Sequence, residues 1–93
     1  MNKAELVAQV ATKTGHPVKV VSTVVDAVVE GITETVAAGG SATIVGFGTF
    51  TSVVRPARRG RNPQTGEPLQ LSARTVPKFI AGSVFKDKVR NGH

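Results

Sequence analysis

Residues 55–74 read RPARRGRNPQTGEPLQLSAR, and the interpretation of this stretch decides the fold. Its apolar side chains, prolines apart, are Ala57, Leu69, Leu71 and Ala73. These are too few to build a core. The stretch is therefore either a disordered loop or a projecting two-stranded ribbon. A ribbon needs something to lie on, because an isolated hairpin is marginal in water. Asn62-Pro63 with Gly66 just beyond is turn chemistry, which places a reversal at the centre. On the C-terminal side, Leu69, Leu71 and Ala73 alternate with Gln70, Ser72 and Arg74, the period of a strand. Val76-Pro77 is expected to close that strand.

Upstream, Thr49 to Arg55 reads as a strand, and Ala42 to Val45 as another. Gly46-Phe47-Gly48 is the tight connection between them. Residues 18–38 are rich in Val, which by propensity favours strand. Their spacing decides otherwise. Val21, Val25, Val28, Ile32 and Val36 recur at the helical period, while the pairs Val20-Val21, Val24-Val25 and Val28-Val29 break strict alternation. The spacing predicts a long helix with Gly39-Gly40 past its end. Its doubled Val pairs widen the apolar face beyond the needs of one small core, which points to a partner chain. Asn2 followed by Glu5 resembles a capping box. Leu6, Val7, Val10 and Ala11 then line one side of a first helix running to about Thr14. Gly15 ends it, and His16-Pro17 is a turn. A last short helix is expected from Gly82 or Ser83 to Arg90, with Val84, Phe85 and Val89 inward. The expected organisation is one α+β domain over residues 1–93. It comprises a helical hairpin over 1–40, a three-stranded antiparallel sheet over 41–80 with its ribbon arm at 55–74, and a C-terminal helix over 82–90.

Composition narrows the chemistry. The chain has 93 residues, no Cys, 12 Lys and Arg, 6 Asp and Glu, and a net charge of +6. A chain of this length buries only about two-thirds of its unfolded surface. Without Cys there is no disulfide framework, no thiolate zinc site and no Cys nucleophile. An apolar fraction of 40% excludes a disordered basic tail. With no Trp, no Tyr and four Phe, base stacking on aromatic platforms is poorly supplied. Glu5, Gln9 and Lys13 interrupt any signal-peptide core, and no stretch approaches the ~18 apolar residues of a membrane span. The chain is expected to stay where it is made, in the cytoplasm, without membrane contact.

Charge is segregated along the sequence. Residues 1–50 carry three Lys against four carboxylates, whereas residues 51–93 carry nine Lys and Arg against Glu67 and Asp87. Arg55, Arg58, Arg59 and Arg61 fall within seven residues. A solvated basic face is the bland interpretation of scattered charge, but this charge is concentrated on one approach strand. It marks a surface for an anionic partner. Ten residues per strand at ~3.3 Å give an arm roughly 33 Å long, about one turn of B-DNA. Arg suits phosphate by its bidentate fork and narrow minor grooves by its weak hydration. Pro63, alone, reads as a turn former. At the tip of an Arg-lined ribbon it reads better as a wedge, since its compact ring strands no donor between base pairs.

These motifs carry a resemblance. Gly46-Phe47-Gly48-Thr49-Phe50, then Arg55, Arg58, Gly60, Arg61 and Asn62-Pro63-Gln64-Thr65-Gly66, resemble the signature of the HU and integration host factor family of bacterial histone-like proteins, HU above all. The resemblance runs from Met1 to about Arg90. It implies an intertwined dimer with a helical base and β-ribbon arms that enter the DNA minor groove and wedge the base stack, the mode known for this family. By position it implies DNA contacts from Arg55, Arg58, Arg61, Asn62, Pro63, Gln64 and Thr65. Arg59 and Arg74 are added from charge and position, and Lys3 and Lys86 would meet flanking phosphates on the body. Ser83 departs from the family pattern, where Lys is common, and weakens that body contact. Phe47, Phe50 and Phe79 match an aromatic cluster at the dimer interface, where core and interface coincide.

The expected partner is double-stranded DNA, bound with little sequence preference and best when bent, nicked or flexible. A homodimer is expected, with a heterodimer with a paralogue as the alternative. The expected place is the nucleoid, and the expected roles are bending, compaction and stabilisation of the chromosome. A site-specific bender like integration host factor and an RNA-binding module are the competing readings. The modules of RNA readers are missing. No cofactor, no metal and no enzyme activity are expected. His16 sits in an exposed turn and His93 at the terminus, no paired carboxylates suggest a cleft, and Gly46-Phe47-Gly48 lacks the residues of a phosphate loop.

Overall fold

The computed structural model describes residues 1–92; His93 lies outside the described residues. The elements run α1 (Lys3–Thr14), α2 (Val18–Ala37), β1 (Ala42–Ile44), β2 (Gly48–Arg55), β3 (Arg58–Arg61), β4 (Pro68–Leu71), β5 (Arg74–Ala81) and α3 (Ser83–Asn91). They form two compact units, residues 1–34 and the chain from Thr35 onward.

In the first unit, the Asn2 side chain caps α1 by accepting from the Glu5 backbone N–H at 2.9 Å. Such a cap contributes about 1 kcal/mol. Gly15, at φ 73°, ends the helix in the left-handed region and donates to the Ala11 carbonyl. The expected apolar stripe of α1 is real: Val7 and Ala11 are buried and join Val21 of α2 in a small core, flanked by Val10 and Val25. The Val-rich segment is helical as its spacing requires. The Thr23 and Thr33 hydroxyls donate to the carbonyls of Lys19 and Val29, which accommodates branched residues in the helix. A second stripe on α2, Val20, Val24 and Val28, lies at helical spacing and is left at least half exposed.

The second unit is built on a three-stranded antiparallel sheet of order β1-β2-β5. Gly46, at φ 84°, makes the β1–β2 turn, closed by the Phe47 N–H donating to the Ile44 carbonyl. Register pairs Phe50 with both Ala42 and Phe79, so the two rings share a face. The Phe50 and Phe79 centroids are 4.7 Å apart, and Phe47 lies 5.2 Å from Phe79 and 5.1 Å from Phe85. The Gly82 N–H donates to the Phe47 carbonyl and so fastens the start of α3 to the hairpin.

Three expectations need correction. The strand placed around Leu69–Ala73 does not end at Val76-Pro77. It is two strands, and β5 continues through Pro77 to Ala81. Proline is tolerated there because β5 is an edge strand. In α3 only Phe85 is half-buried; Val84 and Val89 are exposed. The arm is also not an unbroken ladder. Its distal part, β3 with β4, is a separate two-stranded sheet. Register is nonetheless continuous, with Arg55 opposite Arg74 and Arg58 opposite Leu71. The gap falls at Pro56-Ala57 and Ser72-Ala73, where Pro56 has no N–H to donate.

Candidate nucleic-acid interface

The tip is a hydrogen-bonded turn. The Asn62 N–H donates to the Glu67 carbonyl at 2.8 Å, and the Gly66 N–H to the Asn62 carbonyl at 2.7 Å. The Asn62 side-chain oxygen accepts from the Gln64 N–H at 2.8 Å, and the Thr65 hydroxyl from the Glu67 N–H at 3.3 Å. Gly66 sits at φ 73°, where a side chain would be strained. Asn62 and Thr65 therefore build the turn from within, and Pro63 and Gln64 stand exposed at its apex. The ladder closes at Arg61 opposite Pro68, so the distance from Arg55 to the end of the ribbon is about 20 Å. The turn itself takes up the rest of the arm, which is accordingly shorter than ten paired residues per strand.

Register assigns the cations to faces. Arg59 and Arg61 share a face with Gln70 and Pro68; Arg58 lies on the other, beside Leu71. The Arg61 guanidinium donates to the Gly66 carbonyl at 3.3 Å, which draws it toward the tip. At the arm root, Arg55 and Arg74 are direct cross-strand partners. Like charges so placed destabilise a sheet unless an anion lies between them. A concavity of about 1030 Å³ opens here, lined by Arg55, Arg58, Arg74 and Lys78 together with apolar residues, and no carboxylate lines it. Lys78 escaped the sequence reading. Its signal was alternation: it lies four residues beyond Arg74 and therefore on the same face.

The body residues are less uniform. Lys86 is exposed on α3 and has no ion-pair partner among the described residues. Lys3 is not a free cation, because its ammonium pairs with the Asp26 carboxylate. Phe47, Phe50 and Phe79 form one cluster, to which the structure adds Phe85. Phe47 and Phe79 remain 40% and 38% exposed.

Comparison with known proteins gives a consistent result. The family profile described as bacterial DNA-binding protein matches residues 1–90. DNA-binding protein HU-beta of Pseudomonas aeruginosa is 46% identical, over 96% of this chain and 99% of that one. DNA-binding protein HU of Lactococcus lactis is 47% identical, over 96% and 98%. Among solved structures, a chain of an Anabaena HU–DNA cocrystal superposes with a TM-score of 0.94 at 46% identity, covering 98% of this chain and 99% of that one. HU from Thermotoga maritima gives 0.70 at 37% identity, over 96% and 98%.

Proposed function

The chain belongs to the HU family of bacterial DNA-binding proteins, and from that premise we propose how its own residues bind and bend duplex DNA. It is an architectural protein that binds DNA without dependence on sequence. The observation that carries this reading is the Arg-lined ribbon with an exposed proline at its apex. Arg55, Arg58, Arg59, Arg61 and Arg74 meet phosphates or line the minor groove, with Lys78 extending the path at the arm root. Pro63 enters the base stack, held out by the turn that Asn62 and Thr65 build, with Gln64 beside it. Lys86 meets flanking phosphate; Lys3 does so on exchanging Asp26 for phosphate. Few of these groups can read bases, and the minor groove is degenerate, which favours HU-like binding over a site-specific bender. No step of this activity is catalytic, so the chain acts as a binding protein rather than an enzyme. Its place is the nucleoid of the cytoplasm. Among the described residues no helix is long and apolar enough to cross a membrane.

The working unit is a dimer, within which residues 1–93 act as one domain. Support comes from the sparse core, in which Val7, Ala11 and Val21 are the buried hydrophobic residues, and from the exposed Val stripe and Phe cluster. A second copy of this chain covers these surfaces in a homodimer; a paralogue would do so in a heterodimer. Unfolding is then expected to shift to higher temperature as protein concentration rises. A stably folded monomer in sedimentation at micromolar concentration contradicts this.

Bending tests the wedge. Unstacking a step costs a few kcal/mol, offset by contacts that bent DNA gains. A nick removes part of that cost, so nicked, bent or flexible duplexes are preferred. Pro63→Ala is expected to reduce bending of intact duplex and to narrow the preference for nicked over intact DNA, with the fold and most charge-driven binding retained. A fluorescence-transfer bend assay on both duplexes at one salt concentration reads this. Undiminished bending would reduce Pro63 to a turn former.

A further inference from the structure

Helix α2 is charged against its own dipole. Lys19 lies in its first turn and Glu34 in its last, with no acid in the first turn and no base in the last. The opposite arrangement stabilises a helix. Helix α1 has it, with Glu5 in the first turn and Lys13 in the last. Asp26, Glu30 and Glu34 also set like charges one turn apart, at a further cost to α2. Neither feature serves folding. Lys19, Thr23, Asp26, Glu30 and Glu34 recur at steps of four, three, four and four, so they share one face, and all are exposed. This face is distinct from the stripe of Val20, Val24 and Val28. Lys19, Glu30 and Glu34 have no ion-pair partner among the described residues, whereas Asp26, midway along, is paired with Lys3. The face is therefore positive at one end, neutralised at its middle and negative at the other. Lys19 and Glu34 lie about 22 Å apart along the axis.

We propose that this face docks antiparallel on the same face of a second dimer, so that dimers bind side by side on DNA. The proposal rests on the DNA-binding dimer argued above. Turned head to tail, the face is its own complement. Lys19 of each copy meets Glu30 and Glu34 of the other, and the two-fold axis passes near Asp26, whose charge Lys3 already offsets. Such a contact is isologous. Its carboxylates repel phosphate, so DNA does not compete for it. Each chain carries a net charge of +6, which keeps free dimers apart. Phosphate neutralises that charge, and the contact forms between dimers already bound. Exposed ion pairs are individually weak, but neighbours on one duplex meet at high effective concentration.

The test compares a short duplex that holds one dimer with a longer one that holds several. The short duplex gives each protein's single-dimer affinity, against which binding to the longer one is normalised. The parent is expected to fill the longer duplex cooperatively, each neighbour raising affinity roughly tenfold at low salt and little at high salt. Lys19→Glu, which makes the face wholly acidic, and Glu30→Lys with Glu34→Lys, which makes it wholly basic, should each fill the sites independently. An equimolar mixture of the two variants should restore cooperativity, because acidic faces then meet basic ones. That rescue separates docking from a change in folding or in DNA affinity. A parent without cooperativity, a Lys19→Glu variant that keeps it, or a mixture that fails to restore it overturns the proposal. Failure of the parent to bind the short duplex would instead overturn the DNA-binding reading.

Discussion

Gly48→Ala is expected to lower the unfolding midpoint by roughly 12–24 °C. Gly48 begins β2, is buried, and pairs with both Ile44 and Ala81. A Cβ at this position would lie 2.5 Å from the Ile80 carbonyl oxygen and 2.7 Å from two atoms of the Phe79 ring. The carbonyl is backbone and cannot turn aside. The ring is held by Phe47 and Phe50. Relief requires β2 and β5 to separate where the aromatic cluster depends on them. Overpacking of this kind costs about 3 kcal/mol or more. In a chain of this size each kcal/mol is about 4–8 °C. Thermal unfolding followed by circular dichroism at one fixed protein concentration measures the shift. A midpoint within a few degrees of the parent would mean that the sheet relaxes where its register says it cannot.

Arg58→Ala with Arg61→Ala, which removes four arginines from a homodimer, is expected to weaken duplex binding at least a hundredfold at low salt and to make the log–log salt slope shallower by up to roughly 3.6. The two residues lie on different faces of the ribbon, so one DNA strand need not contact both. The loss should be alike for unrelated sequences, because phosphate contacts carry no base information. Arg58→Lys with Arg61→Lys should restore most of the slope, since the charges return without the guanidinium fork. An unchanged slope in the Ala variant would move the binding surface to the arm root or to Lys86.

Much of this was legible in the sequence. Both ends of α1 were written in Asn2, Glu5 and Gly15, because caps act within one turn of the helix. The Val-rich α2 could be assigned because apolar period outweighs propensity when a helix has a face to bury. The arm was legible from charge and from a shortage of apolar residues, and its turn from Asn62-Pro63 and Gly66. What escaped depended on partners distant in sequence. Pro77 looked like a terminus because alternation cannot reveal that β5 is an edge strand. Lys3 looked like a free cation because Asp26 meets it only when α1 folds against α2. Lys78 gained meaning only beside Arg55 and Arg74.

The sequence by itself determined the helices, the charge segregation, the reversal at the arm tip and the need for a partner surface. Each of these follows from neighbours within a few residues or from composition. The tertiary structure alone decided which cations share a face, that Leu71 lies over Gly60, and that Gly48 must lack a side chain. The physical reason is register. A shift of one residue between β2 and β5, or between β3 and β4, would exchange every inward side chain for an outward one. Local periodicity is blind to that choice, which is made where the strands pair.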